Sequence, residues 1–559
     1  MTRSVLWIVS AAATLLAGCS TTGVLDNADR AAGCAALSGT VIDASRIGLP
    51  SGPAKIDSAV LTAPSALTVA ERGPTPASMI TPAAPEYCKV LGKIAPLDPK
   101  APPIQFQVNL PSQWNGRSVQ YGGGGFNGVL ISGLGLLPAA RYEQPSPLAQ
   151  GFVTYGTDSG HQNQPGQPPQ VFALNDEALV NFAHASYKKV RDVALELMKR
   201  AYGRSPEKLY FVGSSEGGRE GLTMAQRYPK DFDGIFSRVP VINWTGLQFA
   251  GTRNGVATMG EGWIRPAQVK LVHDAVLAAC DAADGVADAT VSDAADCLKR
   301  FDVSRLHCAA GAGGDSCLSD AQVRAVQTLH SPFRFPYALA NGVTEYPGWG
   351  VSGENATSFG PTGGWRAWWL GSSAPTLPPQ PSNSIAWVYG SGAVQYFYAQ
   401  DPKADPSKVD LQAVAPRVRE VSALMDSTNP DLSAFHASGG KLILLENLAD
   451  YAQSPYAGIR YHDTVVQRMG RDKVDQFFKL VTAPGVDHVG AGAAANVDML
   501  GALVGWVERG QVPARLELVE QDAKPPFAVK RARPLCEWPL WPRYRSGDAT
   551  QAASFECSR

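Results

Sequence analysis

The stretch Leu209-Tyr210-Phe211-Val212-Gly213-Ser214-Ser215-Glu216-Gly217-Gly218 joins a short apolar run to a helix-like one through a G-x-S-x-G pentapeptide. This spacing suits nucleophilic attack by Ser215. A serine at the apex of a tight strand-to-helix turn is held in a strained backbone conformation and presented outward. Glycines two residues to either side let strand and helix approach closely. Ser214 lies one position off the apex and cannot take that role in this register. The first helical amide, that of Glu216, is placed to meet a developing oxyanion. In a chain with 56 glycines the pentapeptide alone says little. Its position between an apolar run and a helix stopped by Tyr228-Pro229 gives it weight.

A serine nucleophile needs a base, and the base needs an acid to orient it. On a strand–elbow–helix scaffold the chain order is Ser, then Asp or Glu, then His. Asp450 follows the apolar run 441–445, and His488 follows 479–482 on a glycine-flanked loop. His488 is then the general base and Asp450 its orienting partner. Glu446 and Asp487 rival Asp450, but Glu446 is only one residue beyond its strand and Asp487 adjoins the histidine. His462 falls in a helix-like run, and His436 precedes its strand. Tyr121-Gly122-Gly123-Gly124-Gly125-Phe126-Asn127-Gly128 follows an early strand and suits a second oxyanion amide, from Gly124 or Gly125. Each such donor contributes about 3 kcal/mol to transition-state stabilisation. No Gly-Lys-Ser/Thr follows the run, which argues against a nucleotide loop.

The elements that must position these residues read as α/β. Strand-like runs at 104–110, 118–121, 151–155 and 208–212 alternate with helical spacing at 178–202, which predicts a sheet with crossover helices. From about 240 to 435 the alternation stops. Seven of the twelve tryptophans fall there (Trp244, Trp263, Trp349, Trp365, Trp368, Trp369, Trp387) among Gly, Pro and Ser. Strand patterns resume at 441–445 and 479–482, and a helix is expected over 496–509. The expectation is an α/β-hydrolase core with a large inserted lid. Core residues are 51–239 and 436–559, the lid is 240–435, and a tether spans 19–50.

The 559 residues carry a net charge of −1, so no bulk field draws the molecule to nucleic acid or acidic lipid. Arg3, an apolar segment over 5–16 and Leu16-Ala17-Gly18-Cys19 resemble the leader of a bacterial lipoprotein over residues 1–18. Cys19 would then carry the lipid anchor, and Ser20 after it favours the outer membrane. The alternative is an ordinary cleaved signal peptide. Either way the chain is exported: a periplasmic or outer-membrane lipoprotein, or a secreted protein. Setting Cys19 aside leaves eight cysteines, an even number that reads as disulfides in an exported chain. The simplest arrangement pairs neighbours: Cys34–Cys88, Cys280–Cys297, Cys308–Cys317 and Cys536–Cys557. No Cys or His spacing suggests zinc. The run from Cys280 to Thr290 places Asp281, Asp284 and Asp288 around Gly285. Hard oxygen donors on a tight turn suit Ca²⁺, but a solvated acidic turn has the same spacing.

Gly213-Ser214-Ser215-Glu216-Gly217-Gly218-Arg219-Glu220-Gly221 resembles the nucleophile motif of the tannase and feruloyl esterase family. Segments 122–128, 280–290, 365–371, 441–455, 484–490 and 533–557, with Thr157-Asp158-Ser159-Gly160-His161, resemble the same family. The resemblance implies hydrolysis of small esters of aromatic acids, of feruloyl, galloyl or terephthalate-monoester type. It carries Ser215, Asp450 and His488 as the triad, and the amides of Glu216 and the glycine loop as oxyanion donors. It implies a structural Ca²⁺ on Asp281, Asp284 and Asp288 and the carbonyls of Val286 and Thr290, bracing the lid, and no organic cofactor. The family usually joins a cysteine before the serine to one after the histidine. Here Ser214 and Val489 stand at those positions, so packing or hydrogen bonding must replace that link. Ala289 stands where glycine is common. Trp365, Trp368, Trp369 and Tyr396 are candidates to seat an aromatic acyl group, or are simply lid core. A monomer without nucleic-acid partners is expected. Other readings are an esterase for different acyl groups under a remodelled lid, and a non-catalytic surface binding protein.

Overall fold

The computed structural model describes residues 27–72, 75, 77–356 and 363–559. The leader and Cys19 lie outside them. Among the described residues the largest sheet has eleven strands. In chain order these are β1 (Val41–Ile42), β2 (Ala54–Thr62), β3 (Tyr87–Ile94), β4 (Ile104–Pro111), β5 (Arg117–Tyr121), β6 (Val153–Thr157), β7 (Lys208–Ser214), β8 (Gly234–Arg238), β9 (Lys441–Asn447), β10 (Phe478–Ala483) and β11 (Cys536–Glu537). Their spatial order is β1-β2-β3-β4-β6-β5-β7-β8-β9-β10-β11. From β6 to β10 every neighbour is parallel, whereas β1 to β4 and β11 join antiparallel. The parallel strands are covered on both faces and therefore read as continuous apolar runs such as Leu442-Ile443-Leu444-Leu445.

Helices that frame this sheet include α1 (Asn27–Ala35), α2 (Ser186–Tyr202), α3 (Glu216–Arg227), the β9-to-β10 crossover Pro455–Met469 and, near the C-terminus, Met499–Arg509. Val190, Val193, Ala194 and Leu197 of α2 pack in one core with Phe106, Val108 and Val153. Leu500, Leu503 and Trp506 pack on the other side against Val212, Phe236 and Ile443. Asp498 caps that last helix by accepting from the Gly501 amide. The helix expected over 178–202 is interrupted: a π-type turn at Asn181–Ala185 separates Asp176–Val180 from α2.

The described part of the expected tether is a correction. Residues 27–50 belong to the fold, because α1 is bonded to β3 through Cys34–Cys88, β1 pairs with β2, and Leu37, Ile42 and Ile47 are buried. All four disulfides are the expected neighbour pairs, with Cα atoms 4.9 to 5.7 Å apart.

The chain leaves the sheet after β8 and returns to it in β9, which lies directly beside β8 in parallel register. The intervening residues hold α4 (Trp244–Ala257), α5 (Pro266–Cys280), α6 (Asp320–His330), α7 (Ile385–Gly392) and α8 (Ala415–Met425). Their apolar clusters are continuous with residues of the sheet domain such as Phe211, Leu442 and Phe182. One is built on Trp349, Trp365 and Trp369, another on Trp244, Phe249 and Phe397.

Candidate active site

The elbow after β7 puts Ser215 at φ 60°, ψ −122°, a left-handed conformation costing about 1–3 kcal/mol for a residue with a Cβ. The surrounding structure holds it there. The Ser215 amide donates to the Arg238 carbonyl at 3.0 Å, and the Gly218 and Arg219 amides donate back to the Ser215 carbonyl. A Cβ on Gly213 would lie 2.1 Å from the Gly217 carbonyl, and one on Gly217 would lie 2.6 Å from that of Gly123. Glycine at these two positions is therefore a steric necessity.

His488 Nε2 lies 3.0 Å from Ser215 Oγ, and His488 Nδ1 lies 2.7 Å from Asp450 Oδ2. A carboxylate oxygen only accepts, so Nδ1 carries the hydrogen and Nε2 is left to accept from the serine hydroxyl. Asp450 Oδ1 accepts from the amides of Ala452 and Gln453, which fixes the carboxylate plane. The rivals have other roles. Asp487 Oδ1 accepts from the amides of Val489, Gly490 and Ala491 and so shapes the histidine loop. Glu446 is fully buried and bonded to Gln453 Nε2. Burial, then the neighbouring Asp450 carboxylate, pushes its own carboxyl well above the usual range. His462 is buried inside the helix Pro455–Met469, and His436 faces Gln476 at the surface.

The glycine loop is tied to the elbow. Its Gly122 amide donates to Val212, and the Gly217 amide donates to Gly123. Glu220 of α3 accepts from the Gly123 amide and from Asn127 Nδ2. The Gly124 amide is taken by Asn127 Oδ1 at 2.6 Å, whereas Gly125 lines the serine pocket beside Glu216. Of the two glycines, Gly124 thus has its amide already bonded, and Gly125 is the one at the serine pocket.

That pocket has a volume of about 40 Å³ and is bounded by Phe126, Trp244, Trp368, Tyr389, Gln453 and His488 among others. A wider groove of about 270 Å³ beside Arg460 is lined by no serine, cysteine or histidine, so volume does not locate the chemistry. Of the four aromatic candidates only Trp368 reaches the site, its ring centroid 6.1 Å from that of His488. The other three are corrections. Trp365 and Trp369 are 2% and 1% exposed within the Trp349 cluster, and Tyr396 is buried with Phe397 and Tyr398. The other rings that line the serine pocket are Tyr389, Trp244 and Phe126. Aromatic composition flagged the lid but could not say which rings face the serine.

The acidic turn lies between the lid and the C-terminal segment. Asp281 accepts from the amides of Asp288, Ala289 and Thr290, Asp284 accepts from Ser292 Oγ and the Val286 amide, and Asp288 pairs with Arg533. Asp284 is 2% exposed, and after burial the Asp288 and Asp281 charges raise its carboxyl further. The donors are of the hard-oxygen type that suits Ca²⁺. Their side chains are nonetheless spread onto these partners. Among the described residues no three His, Cys, Asp or Glu side chains stand at metal-holding spacing.

A serine elbow with histidine and aspartate at the ends of neighbouring parallel strands defines the α/β-hydrolase class. The sequence profile described as "Tannase and feruloyl esterase" matches residues 88–558. The chain belongs to this family of ester hydrolases. It is 37% identical over 540 residues to an uncharacterized esterase of Agrobacterium fabrum, covering 94% of this chain and 93% of that one. It is 31% identical over 556 residues to the mono(2-hydroxyethyl) terephthalate hydrolase of Piscinibacter sakaiensis, covering 89% of each. The fold matches the crystal structure of feruloyl esterase B from Aspergillus oryzae with TM-score 0.75 at 23% identity, covering 95% of this chain and 100% of that one.

Proposed function

We propose that the protein hydrolyses small carboxylic esters of aromatic acids, of feruloyl, galloyl or terephthalate-monoester type, through an acyl-enzyme on Ser215. The observation that carries this reading is the continuous hydrogen-bonded line Ser215–His488–Asp450 at 3.0 and 2.7 Å. Ser215 Oγ attacks the ester carbonyl carbon as its proton passes to His488 Nε2. The carbonyl electron pair moves onto the oxygen, which the Glu216 and Gly125 amides stabilise. The intermediate collapses, the C–O bond to the alcohol breaks, and His488 gives its proton to the leaving oxygen. Water then enters, His488 takes its proton, and the same steps release the acid and restore Ser215. Asp450 keeps the imidazole in the productive tautomer and stabilises the imidazolium.

The aromatic preference rests on the rings of Trp368, Tyr389, Trp244 and Phe126 around the serine. A pocket of about 40 Å³ is smaller than a hydroxycinnamoyl group needs, and this favours one further reading, an esterase for short acyl groups. A panel of methyl ferulate, methyl gallate, mono(2-hydroxyethyl) terephthalate and methyl acetate decides between them. The aromatic reading expects kcat/KM on at least one aromatic ester to exceed that on the acetate. The reverse ranking overturns it.

The proposal extends to Ca²⁺ held by Asp281, Asp284 and Asp288 with the Val286 and Thr290 carbonyls. It is supported by the like charges gathered on the buried Asp284. The ion would neutralise that charge and brace the lid against the C-terminal segment. We also propose that the chain is exported, supported by its four disulfides. Acylation of Cys19 belongs to this proposal.

A further inference from the structure

Arg238 is the last residue of β8, the strand between the nucleophile strand β7 and the acid strand β9. It is 5% exposed. Its guanidinium is forked between Ser214, its neighbour at the end of β7, and the loop after β10: Nη1 donates to Ser214 Oγ at 3.1 Å, and Nη2 donates to the His488 carbonyl at 3.0 Å. One side chain thus touches the residue before the nucleophile and the backbone of the proposed base. Gly490 is shaped to admit it, since a Cβ there would lie 3.0 Å from Nη2. The charged and titratable groups facing Arg238 are Asp487 of the histidine loop, Asp450 and Tyr451 after β9, Glu446 of β9, and Tyr142. Three of these are acids, so the guanidinium is also the cation among them.

We propose that Arg238 is a positioning residue for the ester hydrolysis, a noncovalent clamp that fixes the spacing between the Ser215 elbow and the His488 loop. The inference rests on the Ser215 reading above and adds a residue to it. Ser214 and Val489, which cannot form a disulfide, leave the two loops without a covalent link there, and Arg238 supplies one bond to each. Only a planar fork reaches both acceptors at once. A lysine keeps the charge but is a single point donor. The Arg238 carbonyl, which accepts from the Ser215 amide, is untouched by side-chain substitution. Displacement of a reacting pair by about 1 Å costs about a hundredfold in rate.

The test measures kcat and KM on the best ester for R238K, R238M, S214A and S214A/R238M. Each rate is expressed per active site titrated with a fluorophosphonate, and S215A, which has no such site, is run alongside with its rate expressed per chain. Stability and folded fraction drop out of such a rate, so a merely structural arginine would leave it unchanged. The clamp predicts that R238K and R238M lower kcat per site by about tenfold to a hundredfold, with KM nearly unchanged. It also predicts that S214A has a smaller effect, which disappears in the R238M background. If R238M does not fold, R238K and S214A carry the test. Wild-type kcat per site in R238K, or S214A and R238M effects that multiply independently, overturns the clamp. Hydrolysis by S215A at the wild-type rate overturns the underlying reading instead.

Discussion

The strand ends of the sheet and the lid above them place functional side chains by different means. In the sheet, backbone geometry does the work. β7, β9 and β10 run parallel and end at one edge of the sheet, so Ser215, Asp450 and His488 meet although 273 residues separate the first from the last. In the lid, side-chain packing does it. Trp365, Trp368 and Trp369 lie within one turn-length of sequence, yet only Trp368 lines the serine pocket. A position on a strand end has one address in space, whereas a tryptophan in an irregular region has two, core or cavity, and tertiary packing chooses.

The strongest way to break this comparison is at the strand ends. Ser215→Ala is expected to lower kcat/KM by about 10,000-fold or more with melting temperature nearly unchanged, checked by steady-state kinetics and calorimetry. In the lid the effects should divide between neighbours. Trp365→Ala empties a buried ring and should cost roughly 3–5 kcal/mol of stability while kcat per titrated site holds. Trp368→Ala should change KM and acyl preference with little loss of stability, as read by denaturant unfolding and the ester panel. Equal effects from the two would erase the distinction.

The seam between the regions should respond to acid. His161 is bonded to the Phe126 carbonyl and stacked on Phe172, and burial lowers its pKa to about 4. The unfolded chain then binds its proton more readily. This stabilisation is present in full above about pH 6.5 and is lost as pH falls toward 4, amounting to roughly 3 kcal/mol. Glu446, whose carboxyl burial raises well above the usual range, works in the opposite sense, so the informative quantity is a difference between proteins. Unfolding free energy measured from pH 7 to 4 should fall less steeply for His161→Gln than for wild type. The smallest expected effect is at the acidic turn: a chelator should lower the melting temperature by a few degrees and Ca²⁺ restore it, in line with about 1–2 kcal/mol of linked binding. An unchanged melting temperature contradicts the calcium proposal.

Much of the sheet and its end residues could be read from sequence because each was fixed locally. Gly213 and Gly217 are demanded by backbone contacts, and the apolar runs at β7, β9 and β10 reflect burial on both faces. Neighbouring cysteines also proved to be partners. What stayed hidden depends on long-range meetings. The role of 27–50 in the fold rests on a bond to Cys88 and pairing with β2. Gly125 separates from Gly124 only because the Asn127 side chain turns back on the loop. Tyr389 reaches the serine from a lid helix far along the chain. Arg238 gives no motif at all, since its acceptors are a serine hydroxyl on the next strand and a carbonyl 250 residues away.

The central claim, that Ser215 is the nucleophile, is tested most directly by covalent trapping. The protein is treated with a fluorophosphonate and the adduct located by peptide mass spectrometry, with wild type and S215A in parallel. The account predicts one phosphonyl group per chain, on Ser215, with hydrolysis of the aromatic ester lost in proportion, and none on S215A. A label on Ser214, or full labelling of Ser215 with ester hydrolysis undiminished, would contradict it.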